Sequence, residues 1–268
     1  MNLVATADGV GRVEGDEIAL LDLPWPDVAA LLAAGVGLET AKAARVRGRA
    51  PLADATLLPP LGSTRAVWGV GLNYHSKARR TGRPVPDEPV LYLKAASGAC
   101  APGGTAALAS AQVDYEGEVA LVIGRRATCL RPEHAWDHVA AVCAANDVTA
   151  RDVMTATGNP TLAKSFPGFG ALGASVRDLT TVSDPADIAV RTFVNGVLHQ
   201  DSTTADLIFP VPELLARLTR FAALEPGDVV LTGTPEGTGQ DRGVFLRPGD
   251  VVEVRVPGVL PLRTWFRS

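Results

Sequence analysis

Short apolar runs separated by turn residues dominate the chain. Residues 66–72, 90–93, 118–123, 188–194, 228–231 and 251–256 are rich in Val, Ile and Leu and have the length of strands. In this larger part only residues 213–222 carry a clear helical pattern. Asn195-Gly196 stands between two strand-like runs, and because both central positions of a type I′ turn need positive φ, the pair predicts a tight hairpin. Two Pro-Gly-Asp triplets, at 226–228 and 248–250, each precede a Val-rich run and predict further turns.

Residues 1–60 read as a separate small domain. Strand-like pieces at 3–6 and 17–21 precede a helical stretch at 27–34, which opens on Asp27 after Pro26 and stops at Gly35. The Pro59-Pro60-Leu61-Gly62 stretch reads as a linker, so the second domain is expected over 61–268. No regular alternation of strand and helix occurs. The expectation is an α+β, mainly β chain, a sandwich or roll with few helices rather than a doubly wound sheet.

Composition narrows the function classes. Of 268 residues, 47% are hydrophobic and 20% charged, which suits a folded globular chain. A formal net charge of -4 lacks the basic excess of a nucleic-acid footprint and points to a small-molecule partner. With no basic segment leading into an apolar stretch at the N-terminus and no run long enough to span a bilayer, a cytoplasmic protein is expected. Cys100, Cys129 and Cys143 fit neither a disulfide framework nor a zinc site and read as plain thiols.

The richest chemistry lies in Asp114-Tyr115-Glu116-Gly117-Glu118, which runs into the apolar stretch 119–123. Residues two apart on a strand share a face, so Glu116 and Glu118 project side by side, with Asp114 beyond them. Paired carboxylates repel unless a proton or a cation separates them. An arbitrary Glu-x-Glu is most often a solvated strand face, but here the pair opens a buried run and predicts a cation site. Oxygen donors alone favour Mg²⁺, Mn²⁺ or Ca²⁺ over zinc or copper. A third carboxylate is required, and Asp147, Asp137 and Asp152 are all candidates.

Lys164, set among apolar and Gly residues, is a surface lysine by default, yet in a partly apolar loop it suits an anion or an enolate oxygen. The loop Gly233-Thr234-Pro235-Glu236-Gly237-Thr238-Gly239 has the character of an anion cradle. It lacks the Lys-Ser/Thr ending of a phosphate loop, and Gly69-Val70-Gly71 lacks a dinucleotide fingerprint, so nucleotide binding is rejected.

In order along the chain, GLNY at 71–74, EPVLYLKAASG from 88, DYEGEVALVIG from 114, NDVTARD from 146, KSFPGFGALG from 164, VNGVLHQDSTTADLIF from 194, LEPGDVVLTGTPEGTG from 224 and RPGDVVEV from 247 resemble the fumarylacetoacetate hydrolase family. The resemblance covers about residues 60–256. It implies a mixed β-sandwich roll, usually dimeric, behind a small N-terminal domain. It also implies a Mg²⁺ or Mn²⁺ site on Glu116, Glu118 and Asp147, and an anionic 2-oxo or β-diketo acid substrate. On the matching positions Lys164 would contact the enolate, Gln200 would help position it, Thr234 would bind its carboxylate, and Gly233 would belong to the substrate-binding set. Tyr74 is expected in the same substrate-binding set.

One departure bears on mechanism. After GLNY the family commonly carries a His and, three residues later, a Glu that activate water, and this chain has Lys77 and Arg80 there. Arg stays protonated and Lys is a poor base without strong desolvation. His75 lies two residues off, which on a helix is the other side. Pro167 replaces a frequent Asp, and Ala171 and Ala174 replace frequent prolines. The leading expectation is therefore a tautomerase, isomerase or decarboxylase, with a basic lid of Lys77, Arg79 and Arg80 attracting the substrate. Hydrolysis of C–C bonds and a catalytically silent binding protein are the alternatives.

Overall fold

The computed structural model describes residues 1–268. Two large sheets, a two-stranded ribbon of Val113–Asp114 with Thr149–Ala150, and one layer of short helices frame the molecule. The large sheet runs in the order Val46–Pro51, Glu17–Leu21, Gly9–Glu14, Asn2–Thr6, Val176–Asp178, Val139–Asp147, Gly117–Ile123, Val229–Leu231, Val67–Gly71 and Val90–Lys94. All of these neighbours are antiparallel except Val229–Leu231 and Val67–Gly71, which lie parallel. The second sheet orders Val197–Thr203, Ala189–Val194, Val251–Arg255, Leu262–Arg267 and Thr105–Ala107. The fold is thus α+β and mainly β, a mixed sandwich roll.

The centre of the large sheet is buried on both faces, and successive residues divide between two cores. From Gly117–Ile123, Val119, Leu121 and Ile123 join Val190, Val252, Val254, Leu262 and Phe266 of the second sheet. Ala120 and Val122 face the other way and pack with Ala141, Cys143 and Ala145 against Val28, Leu31, Leu32 and Leu38. The short helices Val28–Ala33 and Leu38–Ala43 form that third layer. The 1–60 segment therefore extends the central sheet through the pairing of Asn2–Thr6 with Val176–Asp178, and it shares a core with the sheet's middle strands.

Most of the expected elements form within a residue or two of the positions read from the pattern. Asp27 caps the first helix by accepting the Ala30 N–H. Asn195 and Gly196 have φ of 50° and 80°, as their hairpin requires. The helix expected at 213–222 is Val211–Leu218 instead. Pro212 fits its first turn, where no N–H partner is needed. At the far end the Thr219 carbonyl and hydroxyl accept the N–H groups of Cys129 and Leu130, which draws the chain away from the helix. No helix is long and apolar enough to cross a membrane.

Candidate metal centre and substrate cavity

Strand register assembles the acidic cluster. Gly117 pairs with Asn146 and Glu118 with Ala145, and one step further the Asp147 N–H donates to the Glu116 carbonyl at 2.8 Å. Paired residues on neighbouring strands share a face, so Glu116 stands opposite Asp147, and Glu118 follows two residues on. All three are buried, and one oxygen from each lies within 4.8 Å of the others. Asp137 and Asp152 lie outside this group. Asp114 is engaged elsewhere, its carboxylate accepting the N–H groups of Tyr115, Gly239 and Gln240 and pairing with Arg151 at 2.8 Å.

Cations surround the trio unevenly. Arg151 reaches Glu116 Oε1 at 2.5 Å, and Lys164 Nζ bridges Glu116 Oε2, Asp147 Oδ2 and Thr149 Oγ1 at 2.5, 2.6 and 2.8 Å. Lys94 and the Tyr92 hydroxyl also donate to Asp147. Burial alone would raise Glu116, but Arg151 and Lys164 hold it below its ordinary range. Asp147 is likewise held low, against burial, by Lys164 and Lys94. Glu118 differs, because burial and then the charges of Asp147 and Glu116 push it well up. Its Oε2 accepts the Gly233 N–H at 2.7 Å, whereas its buried Oε1 has no hydrogen-bond partner. A divalent cation fits this arrangement: the donors are all hard oxygens, and the buried Oε1 lacks the positive partner an ion would supply.

Glu116 and Glu118, with Asp147 buried behind them, open into a cavity of about 470 Å³ whose lining also includes Lys164, Thr234, Arg151 and Lys77. Comparison with known proteins decides what this arrangement belongs to. The fumarylacetoacetate hydrolase C-terminal family matches residues 66–267. The chain belongs to the fumarylacetoacetate hydrolase family. It is similar to the mitochondrial oxaloacetate tautomerase of Xenopus laevis, 37% identical over 82% of this chain and 71% of that one. The 4-hydroxyphenylacetate degradation bifunctional isomerase/decarboxylase of Salmonella dublin is 36% identical over 77% of this chain, which spans 48% of that longer protein. Among solved structures, the fumarylacetoacetate hydrolase of Exiguobacterium antarcticum superposes with a TM-score of 0.87 at 30% identity, covering 100% of this chain and 99% of that one. These named relatives are enzymes, and this family member is an enzyme too.

Other members of the expected fumarylacetoacetate hydrolase-type set are placed less directly. Gln200 does not line the cavity: its Nε2 donates to Thr234 Oγ1 and the Pro235 carbonyl, and its Oε1 accepts the Gly117 N–H. It stands behind Thr234, whose own hydroxyl donates to the Gly117 carbonyl. Gly233 is committed to Glu118. Tyr74 is fully buried with an unpartnered hydroxyl and is absent from the cavity wall.

At the two positions where this family commonly carries its water-activating pair, the side chains fasten one helix to another. Lys77, on His75–Thr81, gives its Nζ to both carboxylate oxygens of Asp241 and to Thr238 Oγ1, each at 2.7 Å. Arg80 lies outside the main cavity and donates to the Asp241 carbonyl at 2.8 Å. His75 is exposed on the same helix and does not reach the cavity. Arg79 pairs loosely with Asp206 on the outer side.

Sequence reasoning missed Tyr92, Lys94 and Arg151. In Val90-Leu91-Tyr92-Leu93-Lys94 the strand period puts Tyr92 and Lys94 on one face and the leucines on the other, which was the available signal. Tyr92 lies across Gly69, where an added Cβ would collide with its ring.

Proposed function

We propose that this chain is a divalent-cation-dependent enzyme that forms or interconverts enolates of small anionic 2-oxo acids, as a tautomerase, isomerase or decarboxylase. Mg²⁺ or Mn²⁺ would be held by Glu116, Glu118 and Asp147. Bound there, the ion supplies Lewis-acid stabilisation of a 2-oxo carboxylate and of charge developing on its enolate. The observation that carries the reading is the convergence of three buried carboxylates, two of them lining a cavity whose lid residue Lys77 is already consumed by Asp241.

The chain's own groups divide the remaining work. Lys164 is kept protonated by Asp147 and Glu116 against the effect of burial, and an enolate oxygen would take over one of the three N–H groups it gives to Glu116, Asp147 and Thr149. Gln200 holds Thr234 at the cavity wall, and Arg151 locks Glu116 to Asp114. Relatives named as oxaloacetate tautomerases and as an isomerase/decarboxylase support enolate chemistry. Hydrolysis is the second reading, favoured by the likeness to the Exiguobacterium enzyme.

The test is to incubate the protein with Mg²⁺ or Mn²⁺ and oxaloacetate, acylpyruvates and a 2-hydroxydienoate, following enol absorbance and products by NMR. Chelator-sensitive tautomerisation, double-bond migration or loss of CO₂ is expected. Water-dependent cleavage as the only activity would replace this reading with the second, and inertness throughout would point to a silent binding protein.

A further inference from the structure

The cavity contains one cation that the protein itself leaves without a counter-charge. Its lining carries four basic side chains, Lys77, Arg83, Arg151 and Lys164. Three are neutralised in place: Lys77 by Asp241, Arg151 by Asp114 and Glu116, and Lys164 by Glu116 and Asp147. The Arg83 guanidinium makes neither an ion pair nor a hydrogen bond within the chain, while its backbone N–H donates to the Ala78 carbonyl.

That backbone is well fixed. Gly82, with φ of 65°, ends the His75–Thr81 helix in the left-handed region. Its N–H donates to Arg79 and the Arg83 N–H to Ala78, the paired bonds of a Schellman motif. Pro84 follows, which restricts Arg83 to extended backbone. Arg83 also borders an outer groove shared with Arg80, Thr81, Gln240 and Asp241, so it stands at the mouth of the cavity rather than at its floor. Leu72, Pro86, Val90, Met154 and Pro160 give the same cavity apolar wall.

Charge balance gives Arg83 a purpose. With every carboxylate ionised, as ion binding to Glu118 requires, Asp114, Glu116, Glu118, Asp147 and Asp241 outnumber Lys77, Lys94, Arg151 and Lys164 by one. A divalent ion on the trio turns this deficit into a surplus of one, and Arg83 raises it to two, the charge of a dicarboxylate. We propose that Arg83 is a specificity-determining residue that pairs with the far carboxylate of an extended dicarboxylic 2-oxo acid, whose hydrocarbon middle lies on the apolar wall. The inference rests on the proposed binding of a 2-oxo acid head at the carboxylate trio. A guanidinium fork suits a terminal carboxylate because it donates two parallel hydrogen bonds.

Titration calorimetry on the Mn²⁺-loaded protein, with 2-oxoadipate and 2-oxohexanoate as probes of equal carbon number, reads the assignment directly. Wild-type protein is expected to bind 2-oxoadipate roughly tenfold or more tightly than 2-oxohexanoate. In Arg83→Gln the ratio should collapse towards one, Arg83→Lys should keep part of it, and Arg79→Gln should keep all of it. Equal affinities in the wild type, a ratio that survives Arg83→Gln, or binding of neither acid overturns the proposal. Exchange of the C3 protons of both acids in D₂O, followed by NMR, scores enolate chemistry separately. Preferential binding without exchange defeats the enolate reading and leaves Arg83 in its role, whereas exchange without preference does the reverse.

Discussion

Glu118 and Asp147 sit in one cluster but differ in what they owe to the protein. Asp147 accepts from Tyr92, Lys94 and Lys164, so Asp147→Asn leaves two buried ammoniums short of a partner and should cost about 3–5 kcal/mol. Glu118 has an oxygen with no partner and a carboxyl that burial already pushes towards neutrality. Glu118→Gln should therefore fold with near wild-type stability yet lose most divalent-ion affinity, as read by calorimetry beside a melting curve. The thiols make a second residue-scale prediction. Burial pushes Cys143 up to about 12 and raises Cys100, while Cys129 is exposed. At pH 8 a thiol reagent should label one cysteine of native protein, Cys129, and all three only after unfolding. At this scale Glu116 and Glu118 were legible from their spacing, because period two needs no tertiary knowledge. Tyr92, Lys94 and Arg151 were not, since their roles depend on which strands become neighbours.

Strands and helices show where pattern reading succeeds and where it fails. Residues 118–123 and 251–256 were readable from β-branched content, and Asn195-Gly196 from turn chemistry. The nine-residue strand Val139–Asp147 escaped, although Asp147 ends it. Its run Val-Ala-Ala-Val-Cys-Ala-Ala is Ala-rich, which locally favours helix, and burial on both faces removes any alternation. Close packing between elements is equally invisible in one dimension. Gly69→Ala should force the Tyr92 ring off its place beside Asp147, cost roughly 1–3 kcal/mol and weaken ion binding, both measurable by ligand-dependent melting. The tie between His75–Thr81 and Gly239–Arg242 has its own consequence. Rebuilding the family's pair as Lys77→His with Arg80→Glu sets a new carboxylate beside Asp241, so no acylpyruvate cleavage is expected when pyruvate release is followed by NMR.

Across the whole molecule, the boundary visible at Pro59-Pro60 marks a change of composition within a shared core. Ala120, Val122, Ala141, Cys143, Ala145, Val229 and Leu231 are covered by side chains from the first 60 residues. Removing those residues would bare a continuous apolar face, and a chain of 61–268 is expected to aggregate or lose cooperative unfolding, as circular dichroism and light scattering would show.

The register of Gly117–Ile123 against Val139–Asp147 carries a last consequence. A slip of one residue would turn Asp147 to the opposite face, so only correctly zipped strands would offer a divalent ion all three carboxylates. An ion held there would thus proofread folding as well as serve the proposed chemistry. Each tenfold rise in free Mn²⁺ beyond its dissociation constant should add about 1.4 kcal/mol to the native state, a climb in melting temperature that Glu118→Gln abolishes.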